Sequence, residues 1–369
     1  MANTVYQLPE SITRLAKEER QLFDRLFSVD AAQVKMEIPP SMYAYCEKFF
    51  GSVEAVLRQR PVKVTNKITL DTAIFNALRS RRPQSYNTSA LDDLMEAERK
   101  FDPFANPLEG TSADNFDRIY GEYSLTASNV AKFDTWHSVV IFNEYNPLKF
   151  GPDEVVDYLM TARAWAEEVQ EQDDKARYFF FLWNCLFRAG ASVMHGHAQM
   201  TVSRQQHYGK VERMRRDSLE YARQNRRGFF NDMVQIHRLL GLTATPADRV
   251  VAFANLTPVA EREIWLISDL WSPELGLALY HALSYYKSVG AVAFNVGALV
   301  PPIGPTPGKE DWGDFPVILR LVDRGDPQAR SSDIGALNLF GAVPVVNDPF
   351  EVARGFQKYL QTVATPTQA

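Results

Sequence analysis

The sequence predicts an α+β protein in which one strand-and-helix unit occurs twice. Three observations predict it. Strand and helix signals alternate in the order strand, helix, strand, loop, strand through residues 137–203, and again through 264–322. The connecting loop carries Gly190 in the first copy and is rich in Pro and Gly over 300–313 in the second. Finally, a chain of 369 residues that is 46% hydrophobic can bury a large core, in one domain or in two related halves.

In chain order, residues 1–61 form an N-terminal extension with helical periodicity, burying Ile12, Leu15, Leu22 and Leu26. Residues 62–208 carry the first copy. They open with an extended stretch over 62–76 and a surface excursion over 84–116 containing a short helix near 90–100. The copy proper has a strand at His137–Phe142 and a helix over 153–172, with Val155, Tyr158, Leu159, Ala162, Ala166 and Val169 on one stripe. A buried strand at Tyr178–Trp183 follows, then a strand over 195–203. Residues 209–248 connect the copies through a long Arg-rich helix over about 209–240, where Glu212, Asp217 and Glu220 interleave with arginines and predict a solvated, ion-paired face. Residues 249–369 carry the second copy, with strands at 264–268, 291–296 and 315–322, a helix over 273–289 and a last helix near 349–360. Its final strand has no histidine. This is an internal duplication with one chemically armed copy.

Composition narrows the function. The net charge of −5 argues against nucleic acid as a main partner, and no run of about 18 apolar residues suggests a membrane span. Cys46 and Cys185 are too few for a four-thiolate zinc site, and such scarcity fits a reducing cytoplasm. Residues 1–7 lack the charged and apolar regions of a secretion signal, so a cytoplasmic protein is expected.

The chemistry concentrates in His195-Gly196-His197-Ala198-Gln199. On a strand, residues two apart share a face, so both imidazoles and the amide point one way while Gly196 and Ala198 leave the other face nearly bare. Asn184 and Ser192 precede them. His137 lies on an apolar strand and reads as a satisfied core or edge histidine.

The segment from Asn184 through Ser192 to His195-x-His197-x-Gln199 resembles the active-site segment of galactose-1-phosphate uridylyltransferases, members of the histidine-triad superfamily made of two half-barrel repeats. Gly196 stands where that family has proline. The stretch Leu78-Arg79-Ser80-Arg81-Arg82-Pro83 is similar to the family's Arg-x-x-Arg-Pro segment at the nucleotide phosphates. Asn129 falls near the family's asparagine at the nucleotide, although its residue type reads as a turn residue before a base contact. The resemblance covers about 62–360. It implies a duplicated histidine-triad antiparallel sheet, a homodimer, and transfer of a nucleoside monophosphate between a nucleotide sugar and a sugar 1-phosphate. His197 is then the nucleophile, with His195 beside it and Arg79, Arg82, Asn129, Asn184 and Ser192 around the nucleotide. Departures are equally informative. The family's zinc-binding thiols are replaced by Phe101-Asp102-Pro103-Phe104. Glu263 keeps the glutamate of its iron site without the histidines, so no cofactor is expected. Its hexose-contacting Gly-Tyr-Glu appears as Gly335-Ala336-Leu337.

The residues can support this chemistry. A neutral imidazole attacks phosphorus well if its other nitrogen is held by an acceptor such as a backbone carbonyl. Gln199 can donate to a non-bridging oxygen but cannot titrate, so it favours leaving groups that need no general acid. This favours transfer or phosphorolysis over hydrolysis; the resemblance puts transfer first, with phosphorolysis of a nucleotide sugar or dinucleoside polyphosphate as the alternative. A catalytically degenerate nucleotide-binding protein is the alternative of another class.

Overall fold

The computed structural model describes residues 3–80, 86–304, 310–329 and 332–364. Its thirteen strands fall into two sheets. β1 (Phe27–Ala31), β2 (Val62–Asn66), β3 (Thr72–Phe75) and β13 (Ala342–Val345) form a small sheet in that order, with β13 parallel to β3. The other nine are β4 (Ser124–Ser128), β5 (Trp136–Phe142), β6 (Tyr178–Cys185), β7 (His197–Ser203), β8 (Thr243–Ala247), β9 (Val250–Ala254), β10 (Glu261–Ser268), β11 (Phe294–Leu299) and β12 (Val317–Asp323). They run β4-β5-β7-β6-β11-β12-β10-β9-β8, all antiparallel.

The duplication is visible in that order. Read from the seam between β6 and β11, each half runs third strand, fourth, second, first: β6-β7-β5-β4 on one side and β11-β12-β10-β9 on the other. The unit is thus strand, strand, helix, strand, strand. The expected unit omitted the leading strands β4 and β9, because both are five residues long and rich in Ala, Ser and Thr or Val. At the seam Asn184 pairs with Asn295, and Asn295 Nδ2 donates to Asn184 Oδ1 at 2.7 Å.

We number helices α1 (Lys17–Leu26), α2 (Pro152–Gln172), α3 (Gly209–Asn225), α4 (Phe229–Leu239), α5 (Pro273–Ser288) and α6 (Pro349–Ala364). The two repeat helices, α2 and α5, pack against each other. They approach closely at Gly276, where an added Cβ would lie 2.8 Å from the Val156 Cα. Val155, Tyr158, Leu159, Ala162 and Ala166 face inward as the periodicity requires, beside the fully buried Trp165, Trp183 and Trp265.

Three boundaries differ from expectation. The extended stretch over 62–76 does form strands, but β2 and β3 join β1 and β13 outside the repeat. β1 itself lies in the extension expected to be helical, where Leu15 is half-buried and Ile12, Leu22 and Leu26 are buried. The single Arg-rich helix is two, because Arg226 adopts a left-handed conformation (φ 54°) and Gly228 precedes α4. Its arginines do pair locally: Arg215 and Arg216 with Glu212, Arg223 with Glu220, and Arg227 with Asp232.

Two core histidines make stability pH-dependent. On α4, His237 Nδ1 donates to the Met233 carbonyl at 2.7 Å, and Nε2 accepts from Leu256 N–H at 3.2 Å. Burial pushes its pKa down to about 4, and that of His207 likewise to about 4. Both are stored neutral, so the stability they support is complete above the unfolded value near 6.5 and is lost as pH falls through 4. Each contributes about 3 kcal/mol over that window. Calorimetry at pH 7 and pH 4.5 should show a lower melting temperature in acid, with a flatter profile for His237→Gln. An acid-independent melting temperature would contradict this.

Candidate active site

The site is built on β7 and on the loop that enters it. Before β7 the chain makes a tight approach at Gly196. A Cβ there would sit 2.7 Å from Phe142 Cδ2 and 3.0 Å from the Glu144 carbonyl. Gly196 N–H donates to the Tyr145 carbonyl, and its own carbonyl accepts from Phe142 N–H, each at 2.9 Å. The glycine is therefore required here by space, and a proline would lose the Tyr145 bond.

His197 is 5% exposed and pairs with Ile141 of β5. Its Nδ1 lies 2.8 Å from the His195 carbonyl, so Nδ1 carries the hydrogen and Nε2 the lone pair. Nε2 has no partner among the described residues and is not among the fully buried unpaired atoms, so it stays open to approach. Burial, with His195 alongside, holds His197 below the ordinary imidazole range, against the opposing pull of the bond to the His195 carbonyl. The ring is thus uncharged and tautomerically fixed.

His195 is fastened at both nitrogens. Nδ1 is 2.7 Å from Asp102 Oδ2, and Nε2 is 2.8 Å from the Phe142 carbonyl. The other Asp102 oxygen accepts from Phe104 N–H at 2.9 Å, and the Phe104 ring stands edge-on to His195 and His197 at 5.8 and 5.4 Å. Asp102 thereby sets His195, whose carbonyl sets His197. Sequence reasoning read the 101–104 stretch for missing thiols and passed over the carboxylate within it.

Gln199 is also fastened. Its Oε1 lies 3.0 Å from His137 Nε2. His137 is 1% exposed and satisfied, as expected of a core histidine, yet it touches the site. Asn129, at the end of β4, has its amide nitrogen 3.3 Å from the same Nε2 and accepts from Ala131 N–H, which makes it a turn residue as well as a neighbour of the site.

Of the other expected residues, Asn184 lies two positions beyond Leu182, which pairs with Gln199, and so lies across from His197 on the same face. Ser192 is exposed on the loop. Arg82 lies outside the described residues. Arg79 is exposed and lines a cavity of about 540 Å³ with Arg188, Lys210, Asn295 and Arg324. His195, His197 and Gln199 do not line it. The two regions meet through the Asn184–Asn295 bond.

Taking the Asn184–Asn295 pair as the centre of the duplication, strand register carries His195, His197 and Gln199 onto Arg320, Val322 and Arg324. The second copy thus has a valine at the position of His197 and guanidiniums at those of His195 and Gln199. Arg320 Nε donates to Glu263 Oε1 at 2.7 Å, and Glu263 also accepts from Trp265, Asn255 and the Val259 N–H. The metals known in the resembling family do not fit these residues. Phe101 and Phe104 offer no thiolate, both nitrogens of His195 are engaged, and Glu263 is saturated by donors. Among the described residues no group of three or more His, Cys, Asp or Glu is placed to hold a metal ion, and no helix is long and apolar enough to cross a membrane.

No family model matches the sequence, and no curated protein matches it. Solved structures do. An ADP-glucose phosphorylase from Arabidopsis thaliana, solved with bound ADP-glucose, superposes with a TM-score of 0.60 at 16% identity, covering 81% of this chain and 99% of that one. A GalT-like protein from Arabidopsis thaliana gives 0.58 at 15% identity, over 80% and 97%. A uridylyltransferase gives 0.56 at 15%, over 67% and 89%. Register, duplication and superposition agree: the chain has the α+β fold of these ADP-glucose phosphorylase, GalT-like and uridylyltransferase structures.

Proposed function

We propose that this protein is a nucleotidyltransferase working through a covalent nucleotidyl-His197. The observation that carries the proposal is the bond from His197 Nδ1 to the His195 carbonyl, which leaves Nε2 as an uncharged base on the strand face it shares with Gln199. Nε2 attacks the α-phosphorus of a nucleotide sugar. The bond from that phosphorus to the bridging oxygen breaks, and a sugar 1-phosphate leaves as a weak base that needs no proton. A phosphate oxygen of the acceptor then attacks the same phosphorus and the N–P bond breaks. The Gln199 amide donates to the non-bridging oxygens in both steps.

Two acceptors fit this scheme. A sugar 1-phosphate makes the protein a transferase, and inorganic phosphate makes it a phosphorylase. The second is favoured by one observation. Where the resembling family contacts the hexose with Gly-Tyr-Glu, Gly335-Ala336-Leu337 lies exposed and brings neither a phenol nor a carboxylate. The solved neighbour named as an ADP-glucose phosphorylase is in keeping with it.

The test is incubation with α-³²P-labelled UDP-glucose, ADP-glucose or diadenosine tetraphosphate, followed by an alkaline quench. Acid-labile label should stay on the protein with one of them. A chase with phosphate or with a hexose 1-phosphate then separates the two acceptors. Nucleotide binding without label from any donor would overturn covalent transfer and favour a non-catalytic nucleotide-binding protein.

A further inference from the structure

The Gln199 amide has two faces, and the chemistry above can use one of them. Its NH₂ must meet the phosphate, because a carbonyl oxygen there would repel it. A glutamine side chain has no intrinsic preference between the two orientations. We infer that His137 makes the choice, as a positioning residue for the nucleotidyl transfer proposed above, on which the inference rests.

The choice begins in the backbone. Phe133 N–H points at His137 Nδ1 from 3.3 Å, and a backbone N–H cannot be flipped. His137 Nδ1 must therefore accept, which places the ring hydrogen on Nε2. Nε2–H then donates to the oxygen of Gln199 at 3.0 Å. With its oxygen held, the amide turns its two N–H groups away from His137. Asn129 Nδ2, 3.3 Å from the same Nε2, is a second donor and makes no bond in this tautomer, so nothing else competes for the ring hydrogen.

The ring itself cannot turn. His137 is 1% exposed, and the Phe133 ring lies against it with centroids 3.8 Å apart. On the strand pairs, His137 stands opposite Thr201 and Val139 opposite Gln199, so the His137 and Gln199 side chains share one face. The groups around the ring are Asn129, Lys132, Phe133, Asp134 and Gln199. Lys132 spends its ammonium on the His137 carbonyl, Ser128 and Asp114 rather than on the imidazole. The relay from Phe133 N–H to the Gln199 amide thus crosses from the loop after β4, through β5, to β7.

The test uses two replacements in the full-length protein. His137→Gln keeps a donor that can reach the Gln199 oxygen, and His137→Met fills the same space without one. The readout is the single-turnover rate of protein labelling by the donor that labels wild type. His137→Met should be slower than His137→Gln by on the order of 10-fold, the usual effect of losing a group that orients a site residue. Gln199→Ala alone should cost roughly 100-fold. In the Gln199→Ala background the two His137 replacements should be equal, because there is no amide left to orient. A difference between them that persists without Gln199 means that His137 acts through packing, and overturns the inference. Equal rates with Gln199 present overturn it as well. Wild-type protein that takes up no label from any donor overturns the transfer reading itself, and this inference with it.

Discussion

His197→Ala should lower nucleotidyl transfer by at least about 10⁴-fold and abolish covalent labelling, because the attacking atom is removed and nothing nearby replaces it. His195 cannot substitute, since both its nitrogens are engaged by Asp102 and the Phe142 carbonyl. His137 cannot either, with one nitrogen on Phe133 N–H and the other on Gln199. Nucleotide affinity should change far less, because the residues proposed to hold the nucleotide, Asn184, Gln199 and Arg79, are untouched. Equilibrium binding of the non-reacting nucleoside monophosphate checks that separation. The variant should stay folded, since the ring's one protein hydrogen bond is to the nearby His195 carbonyl, with a melting temperature lowered by the cavity left beside Phe104. Labelling that survives in the purified variant would place the nucleophile elsewhere.

Arg320→Met should destabilise the fold by about 3 kcal/mol or more. Glu263 is fully buried, and among the described residues Arg320 is its one ion-pair partner. The guanidinium also lies over the Trp265 ring at 4.7 Å. Removing it leaves a carboxylate in the core with neutral donors from Trp265, Asn255 and Val259, too few to replace a charge. Replacing both members, in Arg320→Met with Glu263→Met, should recover most of the loss, because the desolvation of two charges is then relieved together. Urea midpoints of the two variants measure this. A single variant within about 1 kcal/mol of wild type would mean that Glu263 does not need its partner.

Much of the site was legible in the sequence because β7 obeys a period of two. His197 and Gln199 share a face for that reason alone, and the carbonyl acceptor expected for His197 is the nearest one, on His195. The supports were not legible. Asp102 is 93 positions from His195 and His137 is 62 from Gln199. No local periodicity relates residues so far apart; β5 must first pair with β7, and the 101–104 loop must fold over the rings. The fold followed the same rule. The helices α2 and α5 and the long apolar strands announced themselves. β4, β9 and β1 did not, because a five-residue strand takes its identity from its partner rather than from its own side chains. The break at Arg226 was hidden for another reason. A non-glycine residue with positive φ has no compositional mark, so the arginine run read as one helix through it.

The pairing of β6 with β11 has a consequence for how such a chain can exist at all. Each half of the large sheet is the other's cover: β6 presents Phe179, Phe181 and Trp183 from a strand whose open flank is closed solely by β11. Severed at the connecting helices, either half would carry a bare, sticky border and would have to recruit a companion or precipitate. The weaponless copy is therefore no passenger. By sealing that border within one polypeptide, it leaves the positions matching His195, His197 and Gln199 free to hold Arg320, Val322 and Arg324 while the other copy keeps a solvent-proof flank.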